Sequence, residues 1–333
     1  MPELPEVETV RRALESTVIG RTVHAVKLSR TPLRDGGARS LARLLPGRAI
    51  TALRRHGKFL LIDLDAGHTL LSHLGMSGRW LFERTPPGEP LDHVHVVLEF
   101  TDGTALRYQD PRRFGMARVM KTSALAADPS LASLGPDPIA EPPTGAGLFA
   151  RSRGARTAVK LFLLDQRRIA GIGNIYASEI LHRAGVDPRR RAGTVRAHEW
   201  DRIAAGIITV LGEAIDRMGT TFSMYRTLWG EAGGYGERLR VYDRAGEPCR
   251  TCGAPVRHIV QGQRSTYLCA VCQPRGATAL ASGATPSRLA RRAGARAAAA
   301  TRPAPRPPAR PRAAAPGPGR GRASRPAAPR RKG

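Results

Sequence analysis

Long apolar runs are missing from this 333-residue chain. A helix that spans a membrane needs about 18 or more consecutive apolar residues, and the longest stretches here, such as Ile203 to Leu211, reach half of that. The start, Met1-Pro2-Glu3-Leu4-Pro5-Glu6, is acidic and has no apolar core, so no secretory signal is expected. Acidic residues are scarce: 27 Asp and Glu face 54 Lys and Arg, a net charge of +27. That surplus points to a polyanionic partner, nucleic acid first, and no membrane partner is expected. Cysteine is rarer still, four in all, and in the reducing cytoplasm expected for the protein these are poor disulfide candidates.

The charge is unevenly spread. Residues 277–333 hold 14 of the basic residues and no acids, which leaves a surplus of 13 in the remainder. That tail is mainly Ala, Pro, Gly and Arg, with Leu280 and Leu289 as its only large apolar residues and no aromatics. It cannot bury enough surface to offset its chain entropy and is expected to be disordered, drawn weakly to phosphates.

Ahead of the tail, Val7, Val10, Leu14 and Val18 recur at helical spacing up to Gly20. Short apolar segments follow at Thr22 to Leu28, Phe59 to Leu64, Thr69 to Leu74, Val94 to Phe100, Ala105 to Tyr108 and Met116 to Met120, broken by Gly, Pro and Asp. Such spacing predicts a β-sandwich or barrel with one helix at its front. The Pro- and Gly-rich stretch from Leu134 to Pro143 reads as a linker. Helical periodicity then returns in Val159 to Gln166, in Ile175 to Ala184 and in Ile203, Ile207, Leu211, Ile215 and Met218. The expected fold is α+β and multidomain: a β-sandwich domain over 1–135, a linker over 136–148, a helical domain over 149–245, a cysteine module over 246–275 and the tail over 276–333.

All four cysteines lie in that module as Cys249-x2-Cys252, sixteen residues, then Cys269-x2-Cys272. Each pair can place two thiolates on one ion, and the intervening residues suffice for a hairpin that closes a tetrahedral site. Free core thiols and two disulfides are the alternatives; spacing and compartment favour one structural Zn2+, which would stabilise a module too small for its own core. Arg257, Gln261, Gln263 and Arg264 on the hairpin are donors for a phosphate backbone, or solvated surface.

Trimming of Met1 would leave Pro2 as a terminal secondary amine. An α-amino group has a pKa of about 7.7 to 8.0 against about 10.4 for Lys, so roughly a tenth of it is neutral and nucleophilic at pH 7. Condensed with an aldehyde, a secondary amine gives a permanently cationic iminium, an electron sink for later eliminations. Glu3 stands close enough to move protons around it. Read singly, each residue has a plainer role: Pro2 as a helix-opening proline, Glu3 as a complement to the helix N-terminus, and Lys58, in Arg54-Arg55-His56-Gly57-Lys58-Phe59, as a solvated strand lysine.

The combination is more specific than its parts. It comprises Met1-Pro2-Glu3-Leu4-Pro5-Glu6-Val7-Glu8, Gly57-Lys58-Phe59-Leu60, His73-Leu74-Gly75-Met76-Ser77-Gly78, Asp110-Pro111-Arg112-Arg113-Phe114-Gly115, Gly171-Ile172-Gly173-Asn174-Ile175-Tyr176-Ala177-Ser178-Glu179 and the cysteine module. In that order these closely resemble the formamidopyrimidine-DNA glycosylase family, bacterial enzymes that excise oxidised purines. The resemblance runs from Met1 to about Gln273 and stops at the tail.

It implies a bifunctional DNA glycosylase and abasic-site lyase, with Pro2 as nucleophile, Glu3 as proton donor in base loss, Lys58 as proton donor in β-elimination and Arg264 in δ-elimination. It further implies that Met76 and Phe114 fill the gap left by an extruded base while Arg112 meets the orphaned cytosine. His93 matches a DNA-contact histidine and Lys160 lies toward the DNA. Gly171 to Asn174 looks like a helix-two-turn-helix in which Asn174 and N–H groups at a helix start meet a phosphate. Position 155 is Ala where relatives carry a basic residue, so Arg153 or Arg156 is expected to take that contact. Thr227 to Gly236, matching a loop that closes over the base, is the least family-like part of the body. The implied partner is damaged double-stranded DNA, met by a monomer with no obligate protein partner, in a bacterial cytoplasm on the nucleoid. The rival readings are a sibling of the endonuclease VIII type for oxidised pyrimidines, and a non-catalytic zinc-finger DNA-binding protein.

Overall fold

The computed structural model describes residues 2–31, 33, 37–84, 92–221 and 227–276. Met1 and the expectations for the basic tail lie outside them.

Helix α1, Leu4–Val18, has proline in its first turn, where a missing N–H costs nothing. The Glu3 N–H donates to Glu6 Oε2 at 2.8 Å and secures the start. Strand β1 (Val23–Leu28), helix α2 (Ala38–Leu44), strands β2 (Ile50–His56), β3 (Phe59–Leu64), β4 (His68–His73), β5 (Arg79–Glu83), β6 (Val94–Phe100), β7 (Ala105–Gln109) and β8 (Met116–Lys121) follow. They form two four-stranded antiparallel sheets, ordered β1-β6-β7-β5 and β2-β3-β4-β8. Val7, Val10, Leu14 and Val18 of α1 pack with Leu60, Ile62, Leu70, Val96 and Trp80 in the core that the sheets enclose.

Helix α2 and strands β2 and β5 are absent from the sequence reading. Strand β2 reads Ile-Thr-Ala-Leu-Arg-Arg-His, and its three basic residues hide the alternation. One of them, Arg55, is turned inward, where it pairs with Glu8 and Asp137. Strand β5, Arg-Trp-Leu-Phe-Glu, is too short to show a period.

Helices α3 (Pro129–Ala132), α4 (Gly145–Ser152), α5 (Val159–Leu164), α6 (Asn174–Ala184) and α7 (Ala197–Asp216) make up the second half. Helix α7 packs on α4 and α6 around Trp200, Phe162, Tyr176, Ile180 and Ile207. Gly185, at φ 68°, closes α6 in the left-handed conformation that glycine tolerates. The expected linker is held down: Asp137 is buried and accepts from Gly57 N–H at 2.7 Å and Ile139 N–H at 3.0 Å. Leu4 lies in the helical core whereas Val7, Val10, Leu14 and Val18 of α1 lie in the sandwich core, and Leu228, which follows the helical half in sequence, also lies in the sandwich core.

Strands β9 (Arg257–Gln261) and β10 (Arg264–Leu268) form the hairpin of the cysteine module. Gly262 and Gln263, at φ 53° and 60°, make the two-residue turn whose twist suits such a hairpin.

Candidate active site

Glu3 sits at the junction of the halves and is 2% exposed. Its carboxylate caps α6, accepting from Ile175 N–H at 3.0 Å and Tyr176 N–H at 3.4 Å, where the positive end of the helix favours it. Gly173 makes the approach possible, since a Cβ there would stand 2.2 Å from Glu3 Cδ. Glu6 backs this arrangement by accepting from Tyr176 Oη at 2.6 Å and Thr220 N–H at 2.8 Å. Burial, with the charge of Glu3, pushes the Glu6 carboxyl up. Pro2 is buried at the same junction, one residue before Glu3.

Lys58 enters β3 just after the Gly57 turn and is 8% exposed. Burial pushes its pKa down, with Glu3 opposing and Arg264 adding to the fall. Lys58, His73, Gly173, Asn174 and Arg264 line one cavity of about 360 Å³. His73 Nδ1 accepts from Gly75 N–H at 3.0 Å. Burial and Lys58 push its pKa down to about 4, so the ring is neutral. Arg264, at the first position of β10, is exposed on the cavity's rim.

Lys160 and Asn174, expected on the DNA side, are bonded to each other, and Asn174 also lines the cavity. Lys160 is fully buried, and its Nζ donates to Asn174 Oδ1 at 2.7 Å, Ser265 O at 2.9 Å and Thr266 Oγ1 at 2.7 Å. Burial pushes its pKa down to about 8, against the pull of Glu3. Asn174 Nδ2 donates to Ser265 O at 3.0 Å and Tyr242 Oη at 3.3 Å. Both side chains therefore fasten the hairpin to the helical half. The N–H groups of Ile175 and Tyr176 at the start of α6, expected to meet a phosphate, are occupied by Glu3, because a carboxylate satisfies the same donors.

Met76 and Phe114 are 40% and 45% exposed, and the Arg112 guanidinium lies 5.1 Å from the Phe114 ring centre. Their loops are braced by Asp110, whose carboxylate accepts from Ser77 Oγ and from Gly115 N–H at 2.7 Å, while Ser77 Oγ accepts from Arg112 N–H at 3.1 Å. Gly75 allows the two loops to touch, since a Cβ there would lie 2.5 Å from the Phe114 carbonyl carbon. His93 is exposed beside this loop, at φ 63°, and its carbonyl accepts from Asp110 N–H at 2.9 Å. Arg153 and Arg156 are exposed between α4 and α5, outside the lining of the cavity.

The sulfurs of Cys249, Cys252, Cys269 and Cys272 all lie within 4.8 Å of one another, with 3.8 Å from Cys249 to Cys272 and 3.4 Å from Cys252 to Cys269. Tetrahedral zinc with bonds of about 2.3 Å requires sulfurs about 3.8 Å apart. The donor set fits one structural zinc, which would tie β9 and β10 into the unit that presents Arg264.

Three family models match: "Formamidopyrimidine-DNA glycosylase N-terminal domain" over residues 1–117, "Formamidopyrimidine-DNA glycosylase H2TH domain" over 134–226 and "Zinc finger found in FPG and IleRS" over 246–275. The chain belongs to the formamidopyrimidine-DNA glycosylase family. It is 46% identical over 275 residues to the formamidopyrimidine-DNA glycosylase of Xanthomonas oryzae pv. oryzae, covering 82% of this chain and 100% of that one. The complex of Lactococcus lactis Fpg with DNA containing an abasic site has a TM-score of 0.77 at 31% identity, covering 82% of this chain and 100% of that one. The MutM (Fpg) protein of Thermus thermophilus has a TM-score of 0.73 at 39% identity, covering 83% and 100%.

Within this family framework, residues that the sequence reading left without a role stand out as organisers: Asp110 and Ser77 for the wedge loop, Gly173 for Glu3, His73 beside Lys58 and Asp137 for the Gly57 turn. All except Asp137 lie inside the quoted motifs. Their partners are tens of residues away, so only the fold reveals the roles.

Proposed function

We propose that the chain is a bifunctional DNA glycosylase and abasic-site lyase that removes 8-oxoguanine and formamidopyrimidines from duplex DNA. The family fixes the reaction class. The observation that carries it to these residues is that Lys58 and Arg264, from distant parts of the chain, line one cavity with Gly173, against which the Glu3 carboxylate packs, and that the charges of Glu3 and Arg264 both act on Lys58. Residues 1–135 would serve as the catalytic sandwich, 149–245 as the helix-two-turn-helix domain beyond the 136–148 linker, and 246–275 as the zinc finger.

In this reading the Pro2 nitrogen, exposed by removal of Met1, attacks C1′. The C1′–N bond breaks and the base leaves with the bonding pair, Glu3 supplying a proton. Loss of the amine proton and opening of the sugar give a C1′ iminium. The iminium acidifies C2′; its proton is lost, the 3′ phosphate departs, and Lys58 acts as proton donor. In the δ step the conjugated iminium loses its C4′ proton, the C5′–O bond breaks and the 5′ phosphate departs, with Arg264 as proton donor. Zinc takes no part in these steps and holds the hairpin. Met76 and Phe114 fill the vacated stack and Arg112 meets the opposite cytosine. His93, Arg153 and Arg156 engage phosphates, whereas Lys160 and Asn174 support binding by fixing the hairpin.

No helix among the described residues is long and apolar enough to cross a membrane. The proposed place of action is the bacterial nucleoid, with damaged duplex DNA as partner.

Borohydride reduction in the presence of abasic DNA should give a covalent adduct that maps to the Pro2 peptide, and an N-terminal extension should abolish it. An adduct on a lysine, or none, would refute the mechanism. Excision of 8-oxoguanine opposite cytosine should exceed that of thymine glycol. The pyrimidine arm is informative because a Lactococcus lactis Fpg structure contains DNA with an oxidized pyrimidine.

A further inference from the structure

Zinc bound by four thiolates leaves a net charge of −2 on the centre, and such a charge needs hydrogen-bond donors when it is buried. Cys249 is 3% exposed. One donor is local: Thr251 N–H points at Cys249 Sγ from 3.5 Å. The other comes from a different part of the molecule. His182, in the last turn of α6, places Nε2 3.4 Å from the same sulfur. The residue is 4% exposed, and its Nδ1 is buried with no hydrogen-bond partner among the described residues. An apolar ring would fill this space without stranding a nitrogen, so packing alone does not account for an imidazole here. Its contact with the sulfur does.

Metal binding also settles the direction of the bond. A zinc-bound sulfur carries no proton, so the only hydrogen bond available between the two atoms runs from Nε2–H to Sγ, with the lone pair left on Nδ1. Helix α6 also grips the segment that leads into the module, and the module itself. Glu179, one turn earlier, accepts from the N–H groups of Arg240, Val241 and Tyr242 at 2.8, 3.0 and 2.8 Å. Just beyond the helix, Val186 O accepts from Gln273 Nε2 at 2.9 Å. The opposite end of the same helix holds the Glu3 carboxylate.

We propose that His182 is a positioning residue of the metal centre: its Nε2–H donates to the Cys249 thiolate, offsetting charge on the zinc site and fixing the helix that Glu3 caps to the module that presents Arg264. The effect on the metal is independent of the chemistry assigned to Arg264, so it can fail or stand separately from the proposed reaction.

A hydrogen bond to a thiolate lowers the energy of the sulfur lone pairs. In full-length protein carrying cobalt(II) in place of zinc, His182→Phe should therefore move the sulfur-to-cobalt charge-transfer band to longer wavelength. In the zinc protein it should speed transfer of the metal to a chelator by about tenfold or more, the range found for lost outer-shell partners. His182→Gln, which keeps an N–H donor, should move the band back toward its original position. A role in packing alone would change thermal stability and leave the band in place. The unsubstituted sequence gives a second measurement: with cadmium-113 in the site, scalar coupling between the metal and the His182 Hε2 proton should be detectable. An unmoved band with an unchanged release rate would overturn the proposal. So would a ring protonated at Nδ1 with no coupling, and this arm decides even where the variants do not fold.

Discussion

Replacing Gly173 with alanine probes Glu3 without altering any group assigned to the chemistry. The backbone at Gly173 has φ −123°, which alanine adopts freely, so the perturbation is the new methyl group alone. That methyl would stand 2.2 Å from Glu3 Cδ and 2.4 and 2.6 Å from its oxygens, so the carboxylate must leave the end of α6. Its bonds to Ile175 and Tyr176 N–H are lost. Hydrogen bonds to charged groups contribute about 1.5 to 3 kcal/mol each, and a displaced carboxylate recovers part of this from water. A net loss of about 3 kcal/mol in holding Glu3 corresponds to roughly a hundredfold in rate. The assay is single-turnover release of 8-oxoguanine at saturating enzyme. Borohydride trapping on preformed abasic DNA, which bypasses base loss, should fall far less, and affinity for an uncleavable abasic duplex should stay within about twofold. Base release within about threefold of the parent rate would show that the capped position of Glu3 is not the one used in catalysis.

Burial raises the Asp137 carboxyl, but the Arg55 guanidinium and the Gly57 N–H outweigh it and the net shift is downward from 3.8. The stability it contributes is therefore present at neutral pH and lost as the pH falls from about 3.8 through the depressed value. Asp137→Asn should cost about 1 to 3 kcal/mol at pH 7, because it removes one of the two carboxylates that hold the buried Arg55, which keeps Glu8. In urea unfolding, the gap between variant and parent should narrow near pH 3; a constant gap would contradict the assignment. Lys58, depressed from 10.5 chiefly by burial, loses its proton earlier than an ordinary lysine. Cleavage of abasic DNA should decline on the alkaline side below that pH, and Lys58→Arg should slow the reaction while flattening the decline. A rate that holds level to pH 10.5 would refute this use of the lysine. Leu228 is 1% exposed in the sandwich core, and Trp229 packs edge-on against Phe82 at 5.7 Å. Leu228→Ala should weaken this docking by about 2 to 4 kcal/mol and shift tryptophan emission to the red. Trp80 and Trp200 are fully buried, so an unchanged spectrum would mean the segment stays docked without Leu228.

The parts of the fold legible in the sequence are those whose signal is local. Helices α6 and α7 follow from 3.6-residue periodicity and the Gly185 stop, and the zinc module follows from spacing between cysteines. Strand β2 was hidden because Arg55 breaks the apolar alternation to reach Asp137, a partner 82 residues away. Lys160 shows the same limit from the other side. Sequence motifs put it near the DNA, but its burial follows from Ser265 and Thr266, more than 100 residues later, which take two of its three donors while Asn174 takes the third. A charged residue is read from sequence as solvated or ligand-facing by default, and only a long-range partner makes it structural. The proposed catalytic front stands in the sequence as a list of residue types. That a carboxylate near the N-terminus occupies the helix end expected to receive a phosphate was not legible there, because both are acceptors for the same N–H groups.

Helix α1 explains why the front of the chain cannot be assigned to one domain. Val7, Val10, Leu14 and Val18 are fixed in the sandwich, whereas Leu4 is fixed in the helical core, its N–H bonded to Gly171 O at 3.1 Å. A Cβ on Gly171 would stand 2.5 Å from Leu4 Cδ1, so the contact leaves no slack. One rigid helix therefore carries apolar anchors in both halves, and Pro2 and Glu3 precede the point where they meet. Any motion of one half relative to the other must either carry the terminal residues with it or pull Leu4 from its socket, at about 2 to 5 kcal/mol for a side chain of this kind. Lys58 and Arg264 are tied to the same junction from opposite sides, through the Gly57 turn and through the zinc hairpin. The geometry around Glu3 is thus a joint property of both cores. A protein that closes on DNA can set its reactive groups in place by the same movement that binds the duplex, because the helix that bears the terminus is also the bolt between the halves.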